Sequence, residues 1–362
     1  MLKKGDQKQK ILIVAGATDK KFISKISPIV NIHNIQSIYI ASKRNIIYQK
    51  VISYHTHRVF RRNFILSEIY RFFLIWYILF TKDIQLIMGV YLIPHGILAG
   101  LFAKIFKKPI IQNIIGSDLP RSLKSSYIFK FISNADIVMT RGEKTKKVLV
   151  SKGIEEERIY CVPNVFSFNT IPLVKKKTIY EYDLIFVGNI INVKRIDILF
   201  KALNIVKQHY LCKDFKLALV GDGNLKQKMK ALASELHISN NVSFLGYQED
   251  VYSILNKSKV FIMTSEYEGL PMAMIEAMSC GLPCIMPDVS NIPEVAIHDY
   301  NALLVSVGDV EGFAKQIYTL LTDDELYKRL SNNALKLRDE KEYEYSLENA
   351  ANIWKEILAK IS

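Results

Sequence analysis

Short apolar runs of strand length recur along this chain at helix-length intervals, twice over, and that spacing leaves few folds open. In the first half they are Ile11 to Val14, Ser37 to Ala41, Ile84 to Met88, Pro109 to Ile114, Ile137 to Thr140 and Ile159 to Val162. Strands so separated predict βαβ units and a parallel sheet. The pattern stops in a polar, non-periodic stretch from Pro163 to Tyr182 that contains Lys175, Lys176 and Lys177. It restarts with Asp183 to Gly188, a helix from about Lys194, and Phe215 to Gly223, then Val242 to Leu245, Val260 to Met263, Pro283 to Met286 and Ala302 to Val305. Beyond Asp309 the sequence is wholly helical and ends in Tyr345 to Ile361. A chain of 362 residues exceeds one hydrophobic core. The expected division is a first α/β domain over 1–168, a linker over 169–180, a second over 181–340 and a helical tail over 341–362.

Charge divides unevenly between the halves. Residues 1–178 hold 30 Lys and Arg against 10 Asp and Glu, a net of +20; residues 179–362 hold 19 against 25, a net of −6. The first half therefore suits a polyanionic partner, nucleic acid or an anionic membrane face. Arg58, Arg61, Arg62 and Arg71 precede nine apolar residues, Phe72 to Phe80, too few for the ~20 that cross a bilayer as a helix. Such a run can lie in a membrane surface beside its cations, or form an ordinary core helix, and the two are compatible. No finger, aromatic RNA-binding motif or recognition helix is present, so nucleic acid is not the expected partner. Cys161, Cys212, Cys280 and Cys284 contain no C-x-x-C pair and read as reduced core thiols of a cytosolic protein. Lys3, Lys4, Lys8 and Lys10 before Ile11 to Ala17 imitate a secretory signal, but the run meets Asp19-Lys20-Lys21 and reads as the first strand.

The chemistry is signalled by one carboxylate. Glu276 is the only charge in Leu270 to Cys280, which otherwise reads as a helix apolar on nearly every face. Such a helix is expected to be buried, and a buried carboxylate requires a polar partner. Eight positions earlier Glu268 stands in a loop, immediately before Gly269 and the helix start. Pro271 suits the first helical turn, and Gly269 permits close backbone approach, so free N–H groups and the positive dipole end can meet an anion. A phosphate site flanked by two hydroxyl acceptors matches a nucleotide sugar: diphosphate at the helix start, sugar at Glu268, ribose at Glu276.

Glu268-Gly269-Leu270-Pro271-Met272-Ala273-Met274-Ile275-Glu276-Ala277-Met278, followed by Cys280-Gly281-Leu282-Pro283, resembles the E-x7-E segment of retaining GT-B glycosyltransferases, in particular glycosyltransferase family four. The resemblance covers most of residues 180–345 and is looser before that. It implies a GT-B fold: two Rossmann-like doubly wound domains facing a central cleft, with the C-terminal helix crossing back to the first. It further implies that Glu268 contacts the transferred sugar, that Glu276 holds the ribose, and that the backbone of Gly269, Leu270, Pro271 and Met272 meets phosphate and sugar. The family's G-R-x4-K signature has its lysine at Lys194 after Gly188, but Asn189 stands in place of the arginine, and Arg195 is the candidate to supply that charge. Gly221-Asp222-Gly223 lacks the third glycine of a dinucleotide fingerprint, Lys226 standing there, which disfavours hydride chemistry. The resemblance puts this turn, with Gly221 and Asp222, near the nucleotide, and Tyr247 of Phe244-Leu245-Gly246-Tyr247 near the base.

In the first half, Gly16-Ala17-Thr18 resembles the family's glycine turn at the diphosphate, and His95 and Gly116-Ser117-Asp118 resemble two further segments. His95 is a catalytic candidate at the edge of the site, or a helix cap, and Asp118 an acceptor-side candidate. Ile115 replaces a frequent family histidine, and Pro163-Asn164-Val165 departs from Pro-Asn-Gly. Glu266 and Glu268 form an acidic pair, but no Asp-x-Asp occurs. Lys194 and a helix start are expected to neutralise the diphosphate in place of a metal. The resulting expectation is a metal-independent, cofactor-free, retaining hexosyltransferase. It would move sugar from a nucleotide-diphosphate sugar, UDP in preference to GDP, to a glycan acceptor, lipid-linked, in surface polysaccharide assembly at the cytoplasmic face of the cell membrane. A nucleotide-sugar epimerase or hydrolase on the same scaffold, or a non-catalytic nucleotide-sugar-binding subunit, are the alternatives.

Overall fold

The structure, a computed structural model, describes residues 8–16, 19–116, 118–172, 180–209 and 215–361. Ala17, Thr18, Ser117, Lys175 to Lys177 and Cys212 lie outside the described residues, as does most of the interval read as a linker. The chain forms two compact units, residues 1–166 with 343–362, and residues 167–342.

Unit 1 runs β1 (Gln9–Ala15), α1 (Asp19–Val30), β2 (Ile35–Ser42), β3 (Val51–His55), α2 (Phe64–Thr81), β4 (Leu86–Val90), α3 (Ile97–Phe106), β5 (Ile110–Asn113), α4 (Asp118–Leu123), α5 (Ser126–Ser133), β6 (Ile137–Thr140), α6 (Glu143–Ser151) and β7 (Ile159–Cys161). Its seven strands are parallel, in the order β3-β2-β1-β4-β5-β6-β7. A strand covered on both faces by crossover helices must be apolar throughout, and Ile11 to Ala15 of central β1 are fully buried. The sheet has one strand more than its apolar runs predict. Val51–His55 is an edge strand, half-buried and carrying Ser53, Tyr54 and His55, so it lacks the continuous apolar signature.

Unit 2 runs β8 (Tyr182–Val187), α7 (Ile196–His209), β9 (Leu217–Val220), α8 (Lys226–Glu235), β10 (Val242–Gly246), α9 (Val251–Leu255), β11 (Ser258–Ile262), α10 (Met272–Ser279), β12 (Cys284–Pro287), β13 (Ala302–Val305), α11 (Val310–Thr322), α12 (Asp324–Leu335) and α13 (Leu337–Lys341). Its six parallel strands follow the order β10-β9-β8-β11-β12-β13. The last helix, α14 (Leu347–Ile361), packs on α1, and its Trp354, Ile357 and Leu358 enter the core of unit 1. In both sheets the strand order reverses beside the first strand, between β1 and β4 and between β8 and β11. The carboxyl ends diverge there and open the crevice where doubly wound proteins bind ligands.

Helix α2 is longer than the run Phe72 to Phe80 from which it was read. Over 18 residues it presents Ser67, Arg71, Ile75, Ile78 and Leu79 to the interior, and leaves Phe64, Ile65, Leu66, Ile69, Phe73, Trp76, Tyr77 and Phe80 exposed. Its length and apolar composition are those of a membrane-crossing helix, yet one face is a core face held against β2, β3 and α3.

Trp354 is almost completely buried. Trp354→Ala should cost unit 1 about 3–5 kcal/mol, and should lower a urea transition reported by unit 1 while leaving one reported by unit 2 in place.

Candidate active site

In unit 2 three strand ends carry glycines, and the backbone explains two of them. Gly188 N–H donates to the Val220 carbonyl (3.0 Å), and Gly221 N–H to the Gly246 carbonyl (2.7 Å). Gly221 adopts φ +134°, and a β-carbon there would stand 1.9 Å from the Gly188 carbonyl oxygen. Only glycine lets these two turns touch. Gly223 makes a similar approach, where a β-carbon would come within 2.3 Å of the Ile190 carbonyl. The outcome is a shelf of bare backbone along the ends of β8, β9 and β10. Asp222 closes its own turn, accepting from Gly223 N–H (2.8 Å) and pairing with Lys226 (3.1 Å). Asn189 and Tyr247 are exposed at this edge.

Across the switch point, the segment after β11 is clamped to the segment after β8. The Thr264 hydroxyl donates to the carbonyls of Lys194 (3.2 Å) and Arg195 (2.9 Å), and Glu266 N–H donates to the Val193 carbonyl (2.8 Å). This clamp brings Lys194 Nζ to 2.5 Å from Glu268 Oε1, with both side chains largely buried. A β-carbon on Gly188 would stand 3.6 Å from Lys194 Cε, so the lysine stem passes beside the shelf. Arg195 sits at φ +47°, which delays α7 to Ile196, two residues later than the sequence suggests. Its guanidinium forks onto Asp197 through Nε (3.0 Å) and Nη2 (3.0 Å), so it is already engaged by a carboxylate. It lines a crevice of about 580 Å³ with residues of α7 and α8.

Helix α10 starts at Met272, with Pro271 as the extended residue before it, one position outside the first turn expected. Leu270 and Pro271 are buried and Gly269 half-buried, and the Asn291 side chain donates to the Gly269 carbonyl (3.0 Å), fixing the loop. Met274 N–H and Ile275 N–H both donate to the Pro271 carbonyl (3.1 and 3.4 Å), so the amides that a helix start offers an anion are here those of Met272 and Ala273. The expectation of a buried Glu276 needs correction: it is half-buried, whereas Glu268 is the buried carboxylate. An eight-residue helix with its other positions covered still leaves one stripe at the margin, and Glu276 lies on it. Burial, followed by this carboxylate, pushes both the Tyr252 phenol and the Cys280 thiol up to about 12.

In unit 1 the switch point holds Gly16 and His95. A β-carbon on Gly16 would fall 2.2 Å from His95 Nε2, so the ring lies over the turn that ends β1. His95 Nδ1 lies 2.5 Å from Arg71 Nη1, and Arg71 also pairs with Glu68 (3.0 Å). A guanidinium can only donate, so Nδ1 accepts and the neutral ring carries its proton on Nε2. Burial, then the Arg71 charge, lowers the imidazole to about 3. His95 therefore offers a hydrogen-bond donor at neutral pH, with no vacant lone pair on Nε2 for a general base, and it is not a side-chain helix cap. Asp118 Oδ2 accepts from Leu92 N–H (3.0 Å) and Ile115 N–H (3.1 Å), stapling the loops after β4 and β5. Burial outweighs those bonds and raises its carboxyl to about 6. Thr264 and Asn291 were not singled out from sequence, since a hydroxyl at a strand end and a loop asparagine have common solvated readings. Arg71, read from sequence with the cations that suit a membrane surface, is instead buried and engaged by Glu68 and His95.

Two doubly wound parallel sheets, the second bearing a glycine shelf, a buried lysine–glutamate pair and a helix start at its switch point, define the GT-B architecture. The family description "Glycosyl transferases group 1" matches residues 173–337, nearly all of unit 2. N-acetyl-alpha-D-glucosaminyl L-malate synthase of Bacillus anthracis is 33% identical over 273 residues, covering 70% of this chain and 69% of that protein. The chain belongs to the group 1 glycosyltransferase family. UDP-Gal:alpha-D-GlcNAc-diphosphoundecaprenol alpha-1,3-galactosyltransferase of Escherichia coli is 28% identical over 134 residues, 37% of this chain and 34% of that protein. Among solved structures, Anabaena Alr3699/HepE in complex with UDP and glucose superimposes with a TM-score of 0.76 at 16% identity, over 98% of this chain and 99% of that one. That likeness is one of fold.

A group held near 3 in the folded chain and near 6.5 in the unfolded one refuses a proton that the unfolded chain accepts, so His95 costs stability as pH falls from 6.5 toward 3. His95→Gln should flatten the acid limb of a melting-temperature profile across that window and leave the profile above pH 7 parallel to wild type.

Proposed function

We propose that the protein is a retaining, metal-independent glycosyltransferase that uses a nucleotide-diphosphate sugar, UDP-linked in preference to GDP-linked, and a lipid-linked glycan acceptor. The observation that carries this reading is the Lys194–Glu268 pair at 2.5 Å, held between a glycine shelf and the start of α10. As the bond from the anomeric carbon to the diphosphate oxygen breaks, negative charge grows on the diphosphate. Lys194, turning from Glu268 to the diphosphate, and the amides at the start of α10 meet that charge, which lowers the barrier more than it tightens ground-state binding. Glu268 accepts hydrogen bonds from the sugar, and Glu276 from the ribose. The acceptor hydroxyl bonds to the anomeric carbon on the face the diphosphate leaves and passes its proton to the departing phosphate oxygen, so the anomeric configuration is retained. Charge neutralisation by Lys194 and the helix start is what makes a divalent ion and any other cofactor unnecessary. The UDP and glucose named for the Anabaena structure, and the UDP-Gal and diphosphoundecaprenol in the name of the E. coli relative, support this donor and acceptor class.

The proposed place of work is the cytoplasmic face of the membrane. Exposed Phe64, Ile65, Ile69, Phe73 and Phe80 form an apolar strip on α2, with Arg58 and Arg62 exposed just before it. Because the opposite face of α2 is core, the helix suits lying in the interface with its cations near anionic headgroups, each contributing about 1 kcal/mol.

Glu268→Ala should abolish transfer, lowering kcat at least ~100-fold, while UDP still binds, and wild-type turnover should persist in excess chelator. Chelator-sensitive turnover restored by Mn²⁺ would contradict the metal-independent reading. Phe73→Ser with Phe80→Ser should reduce co-sedimentation with anionic liposomes, whereas equal partitioning with neutral and anionic vesicles would remove the membrane assignment.

A further inference from the structure

The carboxyl edge of the unit 1 sheet contains buried polar atoms with no partner among the described residues. Asn113 ends β5, Thr140 ends β6 and Arg141 follows directly; all three are at least nine-tenths buried. Asn113 Oδ1, Thr140 Oγ1 and the Nε and Nη2 atoms of Arg141 have no hydrogen-bond partner among the described residues. The strands are adjacent, with Asn113 in register with Met139, so these atoms come from neighbouring strand ends at the edge where parallel sheets bind ligands.

Arg141 is the most informative of them. Its Nη1 donates to the Val162 carbonyl at 2.6 Å, which ties one corner of the guanidinium to the end of β7. Burial lowers it only to about 10, so it remains a cation at neutral pH. Among the described residues, the group that acts on it electrostatically is the Tyr91 phenol. A buried unpaired charge is costly, and a chain retains one where something external compensates it. The vacant atoms also specify a shape. Nε and Nη2 form one edge of the guanidinium plane, two parallel N–H donors that match the two oxygens of a carboxylate or phosphate. Arg195 uses this same edge in the same protein to grip Asp197.

We propose that the ends of β5 and β6 form an anion-binding site in which Arg141, through Nε and Nη2, grips a carboxylate or phosphate carried by the acceptor. Asn113 Oδ1 and Thr140 Oγ1 accept hydroxyl protons of the same molecule beside it. Only the assignment of this ligand as the acceptor rests on the transferase reading; the anion site itself stands on unit 1. The acceptor class then narrows from any glycan to one that presents a negative group.

Calorimetric titration of the full chain with inorganic phosphate, succinate and neutral methyl α-glucoside tests this, in wild type and Arg141→Lys. Lysine keeps the charge but loses the fork, and a thermal melt verifies that the variant is folded. Wild type should bind one of the two anions and not the glucoside, and Arg141→Lys should weaken that binding about tenfold or more. Preference for succinate identifies a carboxylate-bearing acceptor, and preference for phosphate a phosphorylated one. Equal anion binding by the two proteins, or none by wild type, overturns the proposal. UDP titrated in parallel separates the two readings: UDP binding without an Arg141-dependent anion sinks this inference alone, and an Arg141-dependent anion without UDP binding sinks the donor assignment alone.

Discussion

The contact on which the second unit's site depends is the ion pair between Lys194 and Glu268, 2.5 Å long and 74 residues apart in sequence. Neither partner could be buried alone without a penalty of several kcal/mol. The pair is possible because the backbones that carry it are bound first, through the Thr264 hydroxyl and the Glu266 amide. Those bonds in turn require β8 and β11 to be neighbours, which is a property of the strand order and not of either segment. A chain of dependence thus runs from topology to backbone clamp to charge pair. The glycines of the shelf belong to the same chain, since a side chain at Gly221 would push β8 and β9 apart at the point where the lysine stem passes.

Unit 1 places a different kind of polar group at the corresponding edge. His95, Arg71 and Glu68 form a connected set in which one guanidinium serves both neighbours, and the imidazole is kept neutral. Asp118 spends its carboxylate on two backbone amides. These groups shape and hold loops. Arg71 keeps one buried atom, Nε, without a partner among the described residues, whereas Arg141, Asn113 and Thr140 bring together such atoms from two adjacent strand ends.

Much of this was legible beforehand, for reasons that are local. Buried parallel strands must be apolar along their whole length, so twelve of the thirteen strands announce themselves; β3, at an edge, need not be and does not. Glu276 stood out because charge is rare in an apolar run, and Glu268 because it stands eight positions earlier, just before a glycine and the helix start. Their relative burial did not, because it depends on which stripe of α10 meets its neighbours. Arg195 looked like a spare cation beside Lys194, and only the left-handed turn at that residue sent its guanidinium to Asp197.

The sequence by itself determined the class of architecture, the location of the family segment and the residues that carry charge into apolar surroundings, because each follows from periodicity or composition over a few consecutive positions. Tertiary structure decided who meets whom. It joined Lys194 to Glu268, put His95 over Gly16 with its tautomer set by Arg71, and brought Asn113 beside Thr140 and Arg141 with four buried polar atoms that have no partner among the described residues. Such pairings depend on strand order and loop register across tens of residues, where no local pattern of side chains can encode the distance.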